Sequence, residues 1–209
     1  MSLHRVVLAC ALAIAPVSAA TVYDFDTTPI GTRTPITFPD GTVIESSSDG
    51  GGFYVGGLTP LPVLMLGNVL RDDRGLVNYS FRIRFSQPYD AISLDFAQLD
   101  PGPWVEMILV NGGAATGLIH AQGIVLTAGG WPEGTLSMQG ALFDTIYMTA
   151  CRNLDSNATC HFPGDNDPVA PFAVDNIKVW VTPEPATGAL LLSGIAAIYA
   201  WKRRSTRMA

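Results

Sequence analysis

The chain has 209 residues, with 21 glycines, 15 prolines and only 14% charged residues. This length allows one domain with a hydrophobic core and leaves little room for a second. Frequent glycine and proline favour short strands joined by turns, so an all-β domain is expected. Residues 21–182 contain seven basic and seventeen acidic side chains, a formal charge of −10. Such a surface argues against nucleic acid as a partner and favours cations or neutral polymers.

The N-terminal segment, residues 1–20, has the layout of a secretory signal peptide. A basic start at Arg5 precedes an apolar stretch over residues 6–15, and small residues follow. This order predicts cleavage after Ala19 or Ala20. Export across the inner membrane by the Sec translocon is the expected consequence; a first core strand or helix is the alternative interpretation.

Two segments in the middle of the chain alternate apolar and polar residues with period two. They are "VNYSFRIRF" (Val77–Phe85) and "AISLDFAQ" (Ala91–Gln98), with "SQPYD" between them. Strict alternation indicates strands with one buried and one solvated face. Because "SQPYD" is typical of a turn, the two segments are predicted to form an antiparallel hairpin.

About eight further short strands are predicted on both sides of this pair. Glycine, proline and asparagine punctuate them, and the clearest turn signal is Asn111-Gly112-Gly113. This spacing, with no helical periodicity between the two ends of the chain, predicts a two-sheet antiparallel β-sandwich over residues 21–182.

Two cysteines remain once the predicted signal peptide is removed, Cys151 and Cys160. Export would place them in an oxidising compartment, where they are expected to form a disulfide that closes a short loop. A metal site is a weaker interpretation because there is no third cysteine, and His161 is adjacent only in sequence.

The alternation in the last predicted strand, "FAVDNIKVWV", changes phase in its middle. Phe172 and Val174 share one face, whereas Ile177 and Val179 would fall on the other. The change falls at Asp175-Asn176, which predicts a β-bulge that redirects a carboxylate.

The C-terminal segment combines an apolar run with a basic end. Residues 186–201 are uncharged and would span about 24 Å as a helix, marginally enough to cross a membrane. The cluster Lys202, Arg203 and Arg204, within residues 202–207, would stay on the cytoplasmic side. A single transmembrane helix is therefore predicted, with a soluble core helix as the alternative.

These features, together with the motif Pro183-Glu184-Pro185, resemble the PEP-CTERM sorting signal over residues 183–209. The resemblance implies an exported bacterial protein that is processed by an exosortase-type membrane peptidase. It also implies a transient anchor in the inner membrane, and then a place at the cell surface or outside the cell. Organisms with such proteins make extracellular polysaccharide, so an association with biofilm polysaccharide is implied too.

The body of the chain resembles the carbohydrate-binding jelly rolls that often precede this tail. The similarity lies in "YDFDTTPIGT", "FSQPYDAISLDFAQLD" and "PFAVDNIKVWV". It implies a jelly-roll-like sandwich with a structural Ca²⁺ where the first and last strands meet, with oxygen ligands from Asp24, Asp26, Asp175 and Asn176. The alternative is that these are ordinary solvated residues at strand ends.

A second oxygen-rich group follows the first of the two cysteines. Its members are Asp155, Asp165, Asn166 and Asp167. Turn chemistry in a loop closed by a disulfide explains this group as well as a cation does.

Sugar recognition commonly uses an aromatic ring beside polar groups. Tyr54 and Trp131 are the candidates because both lie in glycine-rich, loop-like surroundings, in contrast to Trp104 and Trp180. Packing in the core or at its rim is the alternative role for each ring.

Catalytic motifs are scarce in the sequence. Asp95 and Glu106 could form a glycosidase pair if the fold brought them together. No nucleophile elbow, zinc motif or phosphate-binding loop occurs, and His120 and His161 are isolated in sequence. We therefore expect a non-catalytic protein, with an extracellular polysaccharide hydrolase and a purely structural or adhesive matrix component as the alternatives.

Overall fold

The computed structural model describes residues 19–46, 52–72, 80–99, 104–151, 154, 160 and 171–182. The predicted signal peptide (except its last two residues), the motif Pro183-Glu184-Pro185, the apolar segment and the basic cluster lie outside these ranges. So do His161 and the second oxygen-rich group. Within the described ranges, no helix is long and apolar enough to cross a membrane.

The described part of the chain is all-β, which confirms the predicted class. It contains eleven strands, and every pairing between them is antiparallel. The strands are β1 Thr21–Tyr23, β2 Ile36–Thr37, β3 Val43–Ser46, β4 Phe53–Gly56, β5 Val69–Asp72, β6 Ser80–Gln98, β7 Trp104–Asn111, β8 Ala114–Gln122, β9 Ile124–Val125, β10 Pro132–Cys151 and β11 Phe172–Trp180. Hydrogen bonds join them into one sheet with the main order β4-β5-β11-β6-β10-β7-β8.

Strand β6 corrects one prediction, because the expected hairpin does not form. Ser86, Gln87 and Pro88 are exposed, but the chain continues through them as one strand. The first half of β6 pairs with β3 and the end of β10, and the second half pairs with β11 and the start of β10. The register of β6 with β10 shifts between these halves, near Gly140, which has a positive φ of 86°. The polar triplet therefore marks an irregular point in a long strand and not a reversal of the chain.

The core draws on both halves of β6 and on the strands that flank them. Phe81, in the first half of β6, lies 5.8 Å from Phe172 of β11 between ring centroids, and both rings contact Phe53 of β4. All three side chains are fully buried in one hydrophobic cluster. The two halves of the sheet therefore share a single core.

Two local predictions agree with the structure. The turn between β7 and β8 is formed by Gly112 and Gly113, with φ of 56° and 87°. Positive φ at both central residues is what a tight hairpin turn requires, and glycine adopts it without steric cost. Cys151, at the end of β10, forms a disulfide with Cys160, and both residues are buried.

Candidate metal centre

The first and last strands of the domain are neighbours. Tyr23 of β1 pairs with Ile177 of β11, and Thr21 pairs with Val179. Asp24 follows β1 directly, and Asn176 immediately precedes Ile177. The two ends from which the sequence analysis drew its calcium ligands are thus brought to the same place.

A bulge lies at the predicted position in β11. The register of β11 with β6 shifts between Asp175 and Lys178, and Asn176 has a left-handed φ of 51°. The extra residue restores the phase of the strand, so that Val174 and Ile177 belong to the same core cluster. The expectation that the later apolar residues turn to the opposite face was therefore wrong, and the bulge is the reason.

Asp175 is a buried acid among other acids. Its side chain is 2% exposed, and it lies opposite Asp95 on β6. Burial raises the pKa of Asp175 to about 7; a hydrogen bond from the Asn176 N–H opposes this, while the charges of Asp26, Asp24 and Asp95 add to it. Its Oδ1 atom has no hydrogen-bond partner among the residues that the structure describes.

Asp95 belongs to this group, which the sequence analysis missed. Its Oδ1 accepts a hydrogen bond of 2.6 Å from Thr135 Oγ1, and its Oδ2 accepts one of 3.2 Å from Asn176 Nδ2. The same Asn176 amide donates to the Leu64 carbonyl oxygen at 3.3 Å. Alternation alone places Asp95 on the solvated face of its strand, but the identity of the neighbouring strand is needed to place it beside Asp175.

Asp26 is held against the backbone of the β4–β5 connection. Its Oδ1 accepts a hydrogen bond of 3.0 Å from the Asn68 N–H. Gly67 has a φ of 89°, and a Cβ atom there would lie 1.9 Å from Asp26 Oδ1. Only glycine therefore allows Asp26 to approach so closely.

The oxygen atoms of these acids are of the chemical type that a hard cation such as Ca²⁺ binds. We use "acid cluster" for Asp24, Asp26, Asp95 and Asp175. In the described ranges, no three or more His, Cys, Asp or Glu side chains are close enough together to hold a metal ion in the conformation that the structure shows. Ca²⁺ takes six to eight oxygens, including backbone carbonyls and water. Asp175 Oδ1, the other carboxylates and nearby carbonyl oxygens such as that of Leu64 are of the required chemical type.

The two candidate sugar-binding rings have other contacts. The guanidinium groups of Arg33 and Arg71 lie 5.8 and 5.5 Å from the ring centroid of Tyr54. Trp131 donates its indole N–H to the Pro60 carbonyl at 3.0 Å and packs against a small hydrophobic cluster.

Tyr54 and Trp131 do not form one platform. Tyr54 pairs with Arg71 on β5, and the ladder continues across β11 and β6 to Glu133 on β10, two residues beyond Trp131. Four strand spacings separate these positions, about 19 Å. The backbone positions of the two residues are therefore separated across the sheet.

The proposed glycosidase pair is far apart along the sheet. Asp95 pairs with Thr135 near the start of β10, whereas Glu106 pairs with Thr149 near its end. Glu106 is fully buried and accepts a hydrogen bond from the Cys160 N–H. On β8, its neighbour is His120, which also lies edge-on to Trp104, so His120 is isolated in sequence but not in the fold.

Comparison with known proteins supplies no family for this chain. No protein-family model matches it, and no curated protein matches it at a significant level.

The raised pKa of Asp175 predicts a particular pH dependence of stability in the presence of a chelator. An unfolded aspartate titrates near ~3.9, so between this value and about 7 the folded protein binds the extra proton. Stability should therefore fall as pH rises through this window, and Asp175 should account for a loss of about 2.5 kcal/mol between pH 5 and pH 7.5.

Urea unfolding at several pH values measures this effect. Asp175→Asn keeps the shape of the side chain but cannot titrate, so its profile should lack that part of the slope. Parallel profiles for the two proteins would show that Asp175 does not have the raised pKa.

Proposed function

We propose that this chain is an exported, non-catalytic protein of the cell surface or extracellular matrix, completed by Ca²⁺ at the acid cluster and associated with extracellular polysaccharide. The observation that carries the calcium proposal is Asp175, whose buried Oδ1 faces no donor among the described residues while three other acids lie nearby. A buried charge is costly unless it is paired or bound to a metal, and ionised acids repel one another, so an ionised Asp175 needs a cation.

Location outside the cell is consistent with these features. Extracellular calcium modules bind with dissociation constants of roughly 10⁻⁴ to 10⁻³ M, and disulfides persist in oxidising compartments. The domain contains the Cys151–Cys160 disulfide. The signal-peptide pattern of residues 1–20 and the PEP-CTERM pattern of residues 183–209 support export and exosortase processing from sequence.

We also propose that the sheet is best classified as a two-layer, jelly-roll-like sandwich whose layers share β6 and β10. The supporting observation is the single core to which both halves of β6 contribute. Non-catalytic action is supported by the separation of Asp95 and Glu106 along β10.

Calcium binding is the first test of the proposal. We expect calorimetric titration of the purified protein to show one site in the range typical of extracellular modules, and CaCl₂ at a hundredfold excess over Kd to stabilise the fold by about 2.7 kcal/mol. Asp175→Asn should remove both effects. Asp144→Asn is the matched control, because Asp144 accepts a hydrogen bond from Gly112 in the distant β7–β8 turn. Equal binding by wild type and Asp175→Asn would refute the site.

Polysaccharide binding separates the proposal from its two alternatives. We expect the protein to be retained on immobilised extracellular polysaccharide from its host in CaCl₂, to elute with EDTA, and to release no reducing ends. Release of reducing ends that Glu106→Gln abolishes would instead establish a hydrolase. No retention and no release in either buffer would leave the structural or adhesive matrix component.

A further inference from the structure

The connection between β4 and β5, residues 57–68, covers part of the sheet. We call it the capping loop. Leu58 and Met65 of this loop are buried with Ala97 of β6 and Ala173 of β11 in a second hydrophobic cluster, apart from the main core. Ala97 and Ala173 are paired across the two strands, and so are Asp95 and Asp175, two residues further along. Because alternate residues of a strand share a face, Asp95 and Asp175 of the acid cluster lie on the same face as the capping loop.

One set of contacts holds the capping loop independently of the acid cluster. Both carboxylate oxygens of the buried Glu133 accept hydrogen bonds from the Val63 N–H, at 2.9 and 2.8 Å. One of them also accepts the Leu64 N–H at 2.6 Å. Trp131 donates to Pro60, as described above.

A second set of contacts uses the acid cluster itself. Asn176 Nδ2 bridges the Leu64 carbonyl oxygen of the loop and Asp95 Oδ2. At the other end of the loop, the Asn68 N–H donates to Asp26 Oδ1. Asp26 is therefore linked directly to the loop, and Asp95 is linked to it through Asn176.

We propose that Ca²⁺ at the acid cluster locks the capping loop onto the sheet. This inference rests on the calcium site proposed above and adds a consequence for the protein surface. Ionised carboxylates repel one another when no cation is present, and any separation of Asp26 or Asp95 from Asp175 strains the bonds to Asn68 and Leu64. A bound cation reverses this force and fixes both attachments in the geometry that the structure shows.

The outer surface of the capping loop, whose position calcium would control, is apolar. Leu61 and Leu66 of the loop are 67% and 66% exposed, and Val63 lies between them. Trp131 packs beneath the loop through its contact with Pro60. Calcium concentration would thus set both the shape of this surface and the exposure of the Trp131 ring, one of the candidate sugar-binding side chains.

Amide hydrogen exchange of the full chain, with calcium titration of the same sample, tests this coupling. We expect the amides of Val63, Leu64 and Asn68 to exchange about tenfold more slowly in CaCl₂ than in EDTA, because local opening of the loop becomes less favourable. The amides of Ala114 and Ala115, beside the distant β7–β8 turn, should not change.

Two variants distinguish the two sets of contacts that hold the capping loop. Asn176→Gly keeps the left-handed backbone but removes the bridging amide together with its candidate ligand oxygen. It should bind calcium more weakly, and at saturating CaCl₂ it should still lose most of the calcium-dependent protection at Leu64. Trp131→Phe removes the indole donor and part of the ring that packs against the second cluster, but no group of the acid cluster, so it should speed exchange of the loop equally in both buffers. If calcium binds and exchange of the loop is unchanged, the coupling is refuted while the site stands. If calcium does not bind, the proposed site and the coupling fail together.

Discussion

Burial of the Asp175 carboxylate beside three other acids is the constraint around which one face of this domain is arranged. Asp175 reaches this face by alternation along β11, and the bulge at Asn176 that follows it returns Ile177 to the core beside Val174. The pairing of β1 with β11 brings Asp24 and Asp26 to it, and Gly67 lets Asp26 meet the backbone of the capping loop. Such an arrangement needs a compensating proton or a compensating cation, because a buried uncompensated charge costs several kcal/mol.

Other acids in the domain show how the protein satisfies a carboxylate when no ion is needed. Glu133 accepts three backbone hydrogen bonds from Val63 and Leu64. Glu45 pairs with Arg82 and Arg84, and these partners outweigh its burial and lower its pKa. Burial alone would raise the pKa of Asp40. Hydrogen bonds to its carboxylate, the strongest from Tyr23, instead hold this pKa below its usual value. Among the described residues, Asp175 accepts a hydrogen bond from the Asn176 N–H, and its Oδ1 has no partner; this difference from the other acids is the basis of the calcium proposal.

Local signals predicted much of this fold, and nonlocal pairing explains what they missed. Period-two alternation identified the strand segments on either side of Ser86-Gln87-Pro88, and the double glycine identified the β7–β8 turn. The prediction of a turn at this exposed triplet was wrong. A short polar segment between two apolar-alternating segments looks the same in sequence whether the chain reverses there or continues as one strand. Which strands flank β6 decides between the two outcomes, and this is set by contacts far apart in sequence.

The candidate metal site also combines features that the sequence predicted with features that only the fold shows. A change of phase in the last strand located the bulge, and the family resemblance supplied the idea that both ends of the domain meet. Asp95 joins the site only because β6 lies beside β11, and the role of Glu133 depends on a loop seventy residues earlier in the chain. Neither relation leaves a local pattern.

The most direct test of the central claim is a crystal structure of the protein grown in CaCl₂, with data collected where calcium scatters anomalously. The account predicts an anomalous peak within about 2.3 to 2.6 Å of Asp175 Oδ1, with further oxygen ligands from the acid cluster. Absence of a peak, with Asp175 protonated and hydrogen-bonded to a neighbour, would contradict it and assign the compensation to a proton.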